Sequence, residues 1–445
     1  MIPLLYRGSV KDLMGPVYVT RPTQVASSVA AQVSGQLEQS AAVVTSQAPT
    51  GIRSRVNAVI FDYSDAFSVF DWGRLPDLLP RKGEALATLA AEIFEKLEKP
   101  ETWREFSRSP EALALRKANR FGAVFNEIGE ELQKVGLRTH YLGVLESADG
   151  PAEVLPKKLS EVRTPIRRMV VQQVSAVKPH LTSVLGRSLP DYYPTRTSPL
   201  PRLVPLEVVF RLSCPEGSSL LDRVSRDPGY LASLGFPEIQ DAQINSSTRW
   251  DFPILELFTK LETTDRPVPL PEALAISGLS AGQLQEVLLK TAWVAGLLKY
   301  GCAKLGLELA DGKMEWALGE DGKCFLVDAI GPDELRILKD GIQLSKEFLR
   351  GFYKTSAWYE SVEKAKVQAR KVGAHDWKKW VPEAPPALSA QYRELAIQVY
   401  LSLTNELSGR KWFADASGLK HVIEELKSLK AGNLAAGNFK PGSSK

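Results

Sequence analysis

Residues 311–336, DGKMEWALGEDGKCFLVDAIGPDELR, constrain this chain more than any other stretch. Lys313, Glu315 and, past a turn, Lys323 alternate with Met314, Trp316, Phe325 and Val327, the period-2 pattern of a half-buried strand. Glu320-Asp321-Gly322 supplies a favoured hairpin dipeptide between the two runs. The expectation is two antiparallel strands, with Glu315 inside the first and Asp328 at the end of the second. Pairing across so short a turn brings both carboxylates toward one end of the hairpin. Two hard carboxylates in such a place suit Mg²⁺ carrying nucleotide phosphates. That ion takes one or two protein carboxylates and leaves its other positions to water and phosphate. The same pattern also describes an ordinary amphipathic hairpin with a solvated acidic face, and the residues alone leave both readings open.

At 445 residues the chain is long enough for two or three structural layers around a large core. Its 44% hydrophobic and 24% charged residues are an ordinary globular mixture. A net charge of +4 suits phosphorylated ligands, whereas nucleic-acid binding would want Lys and Arg clustered on one face. Cys214, Cys302 and Cys324 are scattered, odd in number and without metal spacing, which fits a reducing cytosol. His140, His180, His375 and His421 are equally dispersed, so neither a zinc pattern nor a Ser/His/Asp pattern is visible. No apolar run approaches the roughly 18 residues of a membrane span, and the first residues lack the pattern of a signal peptide. The expectation is a cytoplasmic, soluble protein that engages neither nucleic acid nor membrane.

Two strands around a turn at Met14-Gly15-Pro16 are the simplest reading of residues 4–19, with Gly8 and Lys11 in a phosphate-covering loop. That loop lacks P-loop spacing. Residues 22–50, rich in Ala, Ser, Gln and Val, read as a mobile or helical insertion. Ala58 to Asp62 is a strand, and Leu86, Leu89, Ile93 and Leu97 form a helical stripe after Pro80-Arg81-Lys82-Gly83. Further helices are expected over 112–135, 280–305 and 388–407, and from Ser345 onward. Residues 145–202 carry Arg163, Arg167, Arg168, Lys178 and Arg187, which read as the solvated face of an inserted element, a partner surface or a phosphate site. Leu203 to Arg211 is nearly continuous apolar strand, yet it contains Glu207 and Arg211. A buried strand hardly keeps such charges unless they are paired or ligand-bound.

Taken in order, these pieces resemble the SAICAR synthetase family, the phosphoribosylaminoimidazole-succinocarboxamide synthases. The family's LY-x-GK-x-K opening resembles Leu5-Tyr6-Arg7-Gly8-Ser9-Val10-Lys11, and its DRISAFD motif resembles Asp65 to Asp71. Its PGKG is similar to Pro80 to Gly83, and its TH pair to Thr139-His140. Its VP-x-E-VVVR strand and following GS resemble Val204 to Arg211 and Gly217-Ser218. Its TK…D segment is similar to Thr259, Lys260 and Asp265. The D-x-K-x-E-F strand and the PD-x-SR segment resemble Asp311 to Trp316 and Val327 to Arg336. SKQF-x-R is similar to Ser345 to Arg350, and the PP-x-LP helix start to Pro385 to Leu388.

The resemblance implies an α+β, ATP-grasp-like fold. A small antiparallel N-terminal domain over residues 1–202, with insertions near 20–55 and 145–200, would cover ATP. Residues 203–430 would form a larger domain with C-terminal helices, followed by a disordered tail over 431–445. The implied reaction is ATP-dependent ligation. A carboxylate on an aminoimidazole ribonucleotide is phosphorylated, and the amine of L-aspartate attacks the acyl phosphate to give an amide, as in de novo purine biosynthesis. Lys11 would contact the ATP phosphates, the strand at Val204 would present backbone to adenine, and Lys82, Glu207 and Lys313 would complete the nucleotide side. Glu315 and Asp328 would hold Mg²⁺. Arg211, Ser218 and Arg336 would grip the substrate phosphate, and Lys260 and Asp265 would lie beside the reacting groups. A homo-oligomer is compatible with all of this.

The chain departs from the pattern where phosphate and metal are expected. Ser9 stands for a lysine, Gly312 for a threonine, Ala329 for the acid after the metal aspartate, and Glu334-Leu335 for two serines. Glu334, two residues before Arg336, is expected to share its strand face and compete for its guanidinium. These departures keep open a paralogous carboxylate–amine ligase with another substrate, and a nucleotide-binding homologue without catalysis.

Overall fold

The computed structural model describes residues 2–22, 53–147, 153–240, 243–262, 265–372 and 376–435. Apolar alternation and tight turns build two antiparallel sheets. The first consists of β1 (Leu4–Arg7), β2 (Lys11–Pro22), β3 (Arg53–Tyr63), β4 (Tyr141–Leu145) and β5 (Arg168–Gln172), in the order β1-β2-β3-β5-β4. A separate hairpin pairs β6 (His180–Val184) with β7 (Arg187–Asp191). The second sheet joins β8 (Arg202–Ser213), β9 (Arg249–Thr259), β10 (Pro267–Val268), β11 (Glu308–Leu318), β12 (Cys324–Val327), β13 (Leu335–Lys339) and β14 (Ile342–Gln343). Its order is β10-β9-β8-β11-β13-β14, with β12 also on β11.

The expected hairpin is present. Glu315 to Leu318 pair with Val327 to Cys324, and the turn closes through Gly319 and Gly322, the latter at φ 73°. β11 is longer than the hairpin, and its free edge is shared. Residues 308–312 pair with β13, and residues 315–318 pair with β12. The link between β12 and β13, residues 328–334, therefore leaves the sheet at the middle of β11. Asp328 opens that link at φ 68°, a left-handed conformation that an L-residue adopts at a cost.

One face of the second sheet is apolar: Leu206, Val208, Phe210 and Leu212 of β8 with Met314 and Trp316 of β11, all buried. It packs on the helix Ala281–Ala303, which is apolar around most of its circumference and begins with a Ser280/Gln283 capping box. The Trp316 indole N–H donates to Thr291 at 3.1 Å, and Trp293 stacks on Phe125 at 4.7 Å. The helices Lys82–Glu98 and Ala390–Ser408 pack together beside the first sheet.

Residues 138–141 join the sheets. Thr139 bridges Leu326 in parallel, the His140 N–H donates to the Leu326 carbonyl at 2.9 Å, and the Gln172 N–H donates to the His140 carbonyl at 2.7 Å.

Several local readings change. The first turn is at residues 8–10, and β2 runs straight through Met14-Gly15-Pro16. A register shift against β3 between Met14 and Val17 absorbs the Gly-Pro pair as an irregularity inside the strand. The helical region 112–135 is two helices, Pro110–Lys117 and Ala123–Val135, interrupted before Gly122 at φ 68°. The stretch 145–202 is not uniform, since its residues 168–172 are a strand between β3 and β4. There Arg168 pairs with Asp62, and Arg167 with Asp62 and Asp65. The reading of residues 22–50 falls almost wholly outside the described residues. The last helix, Leu419–Ala435, extends into the expected tail, and residues 436–445 lie outside the described part.

Gly312 shows how tightly the sheet is filled. A Cβ there would stand 2.6 Å from the Phe210 ring and 2.7 Å from Leu335. Gly312→Thr, which restores the residue of the resembling family, is expected to cost about 1–3 kcal/mol of stability through overpacking. Urea unfolding of both proteins checks this, and an unchanged midpoint would contradict it.

Candidate active site

The opposite face of the second sheet carries the charges. Strand register sets Glu207 against Glu315, Val209 against Lys313 and Arg211 against Asp311. It also sets Glu256 of β9 against Val209, and Arg336 of β13 against Asp311. Directly opposed residues share a face, so the period-2 pattern gathers these side chains onto one surface. The surface has an acid–lysine end around Glu207 and an arginine end around Arg211. Four residues of strand separate the two ends, about 13 Å.

At the first end Lys260, just after β9, donates to Glu207 at 2.5 Å and stands 2.8 Å from Glu315. Lys313 donates to Glu207 at 2.7 Å. Lys11, from the start of β2, reaches across from the first sheet to the Asp328 carboxylate, with its ammonium 4.5 Å from the centre of the Phe61 ring. Burial pushes all of these carboxylates upward. In Glu207 the nearby Lys313 and Lys260 outweigh it and hold the acid below its usual range. In Asp328 Lys11 and Lys260 do the same. In Glu315 burial and the neighbouring Asp328 win, and its pKa rises. Asp265 is raised to about 6 by burial and by Glu207.

Next to this end, β8 and β11 slip. Glu207 opposes Glu315, but the next opposed pair is Leu203 with Ala317. Val204, Pro205 and Leu206 are thus bulged out of that ladder, and the Pro205 carbonyl accepts from the Lys260 N–H at 3.0 Å.

At the second end Arg211 is almost wholly buried and bound to Glu256, with its Nη1 3.2 Å from Asp311 and 3.4 Å from the Ser218 hydroxyl. Glu256, at zero exposure, also takes Arg223 at 2.7 Å and the Tyr230 hydroxyl at 2.7 Å. Arg336 lies 3.5 Å from Asp311 and 3.9 Å from Glu347. Glu347 accepts from Arg350 and Lys354, each at 2.9 Å, and burial notwithstanding these cations bring its pKa to about 2. Among the described residues, Arg211, Arg223, Arg336, Arg350 and Lys354 form ion pairs with Glu256, Asp311 and Glu347, five cations to three acids. Two donors, Arg336 Nη1 and Arg350 Nε, are buried without a hydrogen-bond partner. Buried donors left so are costly, and an anion would satisfy them.

The expected residues fall into these groups with one exception. Lys11, Glu207, Lys260, Lys313, Glu315 and Asp328 converge, with Asp265 and Val204 at their margin. Arg211, Ser218 and Arg336 meet around Asp311 and the start of the helix Ser219–Arg226. Lys82 is seated elsewhere. Its ammonium has zero exposure, lies 2.9 Å from Asp333 and sits over the Tyr400 ring at 5.0 Å. The Tyr400 hydroxyl donates to Asp333 at 2.6 Å. Lys82 is therefore held in a buried pair, its ammonium also 3.4 Å from the Ala66 carbonyl.

Glu334 is a second correction. The acids paired with Arg336 are Asp311 and Glu347, whereas Glu334 lies on the Asp328 side, where burial, Asp333 and Asp328 raise its pKa to about 8. Leu335 is buried opposite Gly312, on the sheet face away from Arg336, so a serine there would not reach an anion beside Arg336. Glu256, Asp311, Glu347, Arg350 and Lys354 were given no role from sequence. Their only signal was charge, in a strand or helix whose partners are distant in the chain.

The raised pKa of Glu334 fixes a pH dependence. The folded state holds this proton up to about pH 8, while an unfolded glutamate releases it near 4.3, so the native state binds more protons in between. Stability from this group is therefore lost as pH rises through that window. Glu334→Gln is expected to raise the melting temperature at pH 8 and above and leave it unchanged below about pH 4. A shift of equal size at every pH would contradict the assignment.

The SAICAR synthetase family profile matches residues 152–365. An Archaeoglobus fulgidus protein, provisionally named phosphoribosylaminoimidazole-succinocarboxamide synthase, is 33% identical over 370 residues, 83% of this chain and 93% of that one. The Thermoplasma acidophilum phosphoribosylaminoimidazole-succinocarboxamide synthase is 28% identical over 218 residues, 47% of this chain and 69% of that protein. The solved SAICAR-synthase from Saccharomyces cerevisiae complexed with SAICAR aligns over 92% of this chain and 96% of that one, at 16% identity and a TM-score of 0.45. On the strength of the Archaeoglobus relative, which runs nearly the whole length of both proteins, the chain belongs to the SAICAR synthetase family.

Proposed function

We propose that this protein is an ATP-dependent ligase that joins the carboxylate of an aminoimidazole ribonucleotide to the amine of L-aspartate, a step of purine biosynthesis. The observation that carries this reading is the two-ended sheet face. One end has two excess positive charges, two unpartnered arginine donors and the hydroxyls of Ser218 and Ser219, a set that suits a phosphate monoester. The other end has carboxylates paired with ammonium groups, a set that suits a divalent cation and transferring phosphate. The span of about 13 Å between them is of the order of a ribonucleotide.

The acid–lysine end fits Mg²⁺. Among the described residues no three acidic, His or Cys side chains converge as a closed metal cage. Mg²⁺ does not need one, because it accepts two carboxylates with phosphate oxygens and water. Glu315 and Asp328 would be those carboxylates, and the ammonium groups of Lys260 and Lys11 now stand where a cation would. When bound, the ion would neutralise triphosphate charge during phosphoryl transfer.

A carboxylate resists attack by an amine until one oxygen becomes a good leaving group. In the proposed sequence it takes the terminal phosphoryl of ATP, which forms an acyl phosphate and ADP. The amine of aspartate then attacks the acyl carbon, the C–O bond to phosphate breaks, and the amine releases a proton. Lys11 and Lys260, freed from their acids, would hold phosphate oxygens. Arg211, Arg336 and Ser218 would fix the nucleotide by its own phosphate. Asp265 lies beside Lys260 and Glu207 with a pKa of about 6, so it is largely ionised at neutral pH and able to accept the amine proton. The backbone at Val204 to Leu206, out of register with β11, lies beside this end and would meet the adenine.

ADP release from MgATP should require both carboxyaminoimidazole ribonucleotide and L-aspartate. Release with neither dependence, or none at all, would overturn the proposal. Glu315→Gln or Asp328→Asn should leave the protein folded and lower turnover by about a hundredfold or more. Unchanged turnover at limiting Mg²⁺ would show that these acids only pair the lysines beside them.

A further inference from the structure

We infer that His140 is a positioning residue that sets where Asp328 presents its carboxylate, an inference that rests on Asp328 being a cation ligand. The His140 ring is buried, and its Nε2 lies 2.9 Å from the Asp328 carbonyl oxygen. A carbonyl has no proton to give, so Nε2 carries the hydrogen and donates it. The ring is wedged edge-on between Phe61, at 5.6 Å, and Phe94, at 5.4 Å, so it has little freedom to follow a moving acceptor. Its own backbone is fixed on both sides, to Leu326 of β12 and to Gln172 of β5.

What it holds is a strained point. Asp328 adopts φ 68° at the place where the chain leaves the sheet between β12 and β13. A left-handed aspartate persists only where its surroundings hold it there. The His140 bond captures its carbonyl, while the residue before it, Val327, is paired with Glu315. With both fixed, the Asp328 carboxylate is aimed at Lys11 and kept on the same side as Glu315. Without the bond, the peptide after Asp328 is free to rotate, and the two carboxylates lose their common aim.

The test measures cation binding directly, by calorimetric titration of Mn²⁺ into protein saturated with ADP, and separately ADP affinity in EDTA. His140→Phe keeps the wedge between the two rings and removes the donor, while His140→Gln keeps an N–H able to reach the carbonyl. Mn²⁺ affinity is expected to fall about tenfold or more in the Phe variant and to recover largely in the Gln variant, with metal-free ADP affinity unchanged in both. If the Phe variant does not fold, His140→Asn, whose amide is too short to reach, is expected to show the same loss. Folded Phe or Asn variants that bind Mn²⁺ like the wild type would overturn the role of His140 alone. A wild type that binds no Mn²⁺ with ADP would overturn the reading of Asp328, and this inference with it.

Discussion

Glu207 and Glu315 are carboxylates buried on one sheet face, and Asp328, half-buried at the start of the link that leaves the sheet, stands beside them. Bringing three such charges out of water costs several kcal/mol each unless cations meet them. The cations come from separate parts of the chain: Lys11 from the first sheet, Lys313 from within β11 and Lys260 from the end of β9. The relative placement of the two sheets, the bulge at Val204 and the outward turn at Asp328 all serve this compensation. A protein that only needed stability would do better with apolar residues of similar volume. Retaining the acids makes sense if the lysines can trade places with an outside cation and phosphate.

The arginine end follows the same logic with the opposite sign. Glu256, fully buried, anchors Arg211 and Arg223, and Glu347 anchors Arg350 and Lys354. These acids keep the guanidinium groups in place before any ligand arrives. Because the acids are outnumbered, the ordered cations keep an unmet demand for negative charge, visible in the two unpartnered nitrogens of Arg336 and Arg350. Preorganisation of this kind lowers the entropy lost on binding.

Much of the site was legible because it is written in strand period. Glu315 and Asp328 could be placed from alternation and one turn dipeptide, and Glu207 and Arg211 stood out as charges inside an apolar strand. Chain order among the short motifs carried the rest of the family resemblance. What was not legible depends on partners far apart in sequence. Lys82 looks like a loop cation until the Asp333–Tyr400 contact buries it. Glu334 shares i, i+2 spacing with Arg336, but it precedes the first paired residue of β13, so strand alternation does not bind it. The Gly15-Pro16 pair signals a turn locally, and only pairing with β3 shows that a long strand absorbs it.

In the proposed reaction the lysines stand in for a cation and yield to it. Anomalous scattering from a crystal grown with Mn²⁺ and ADP tests this most directly. A metal peak coordinated by Glu315 and Asp328 is expected, with the Lys11 and Lys260 ammonium groups withdrawn to the phosphates. A metal bound elsewhere, with both lysines still seated on their acids, would contradict it.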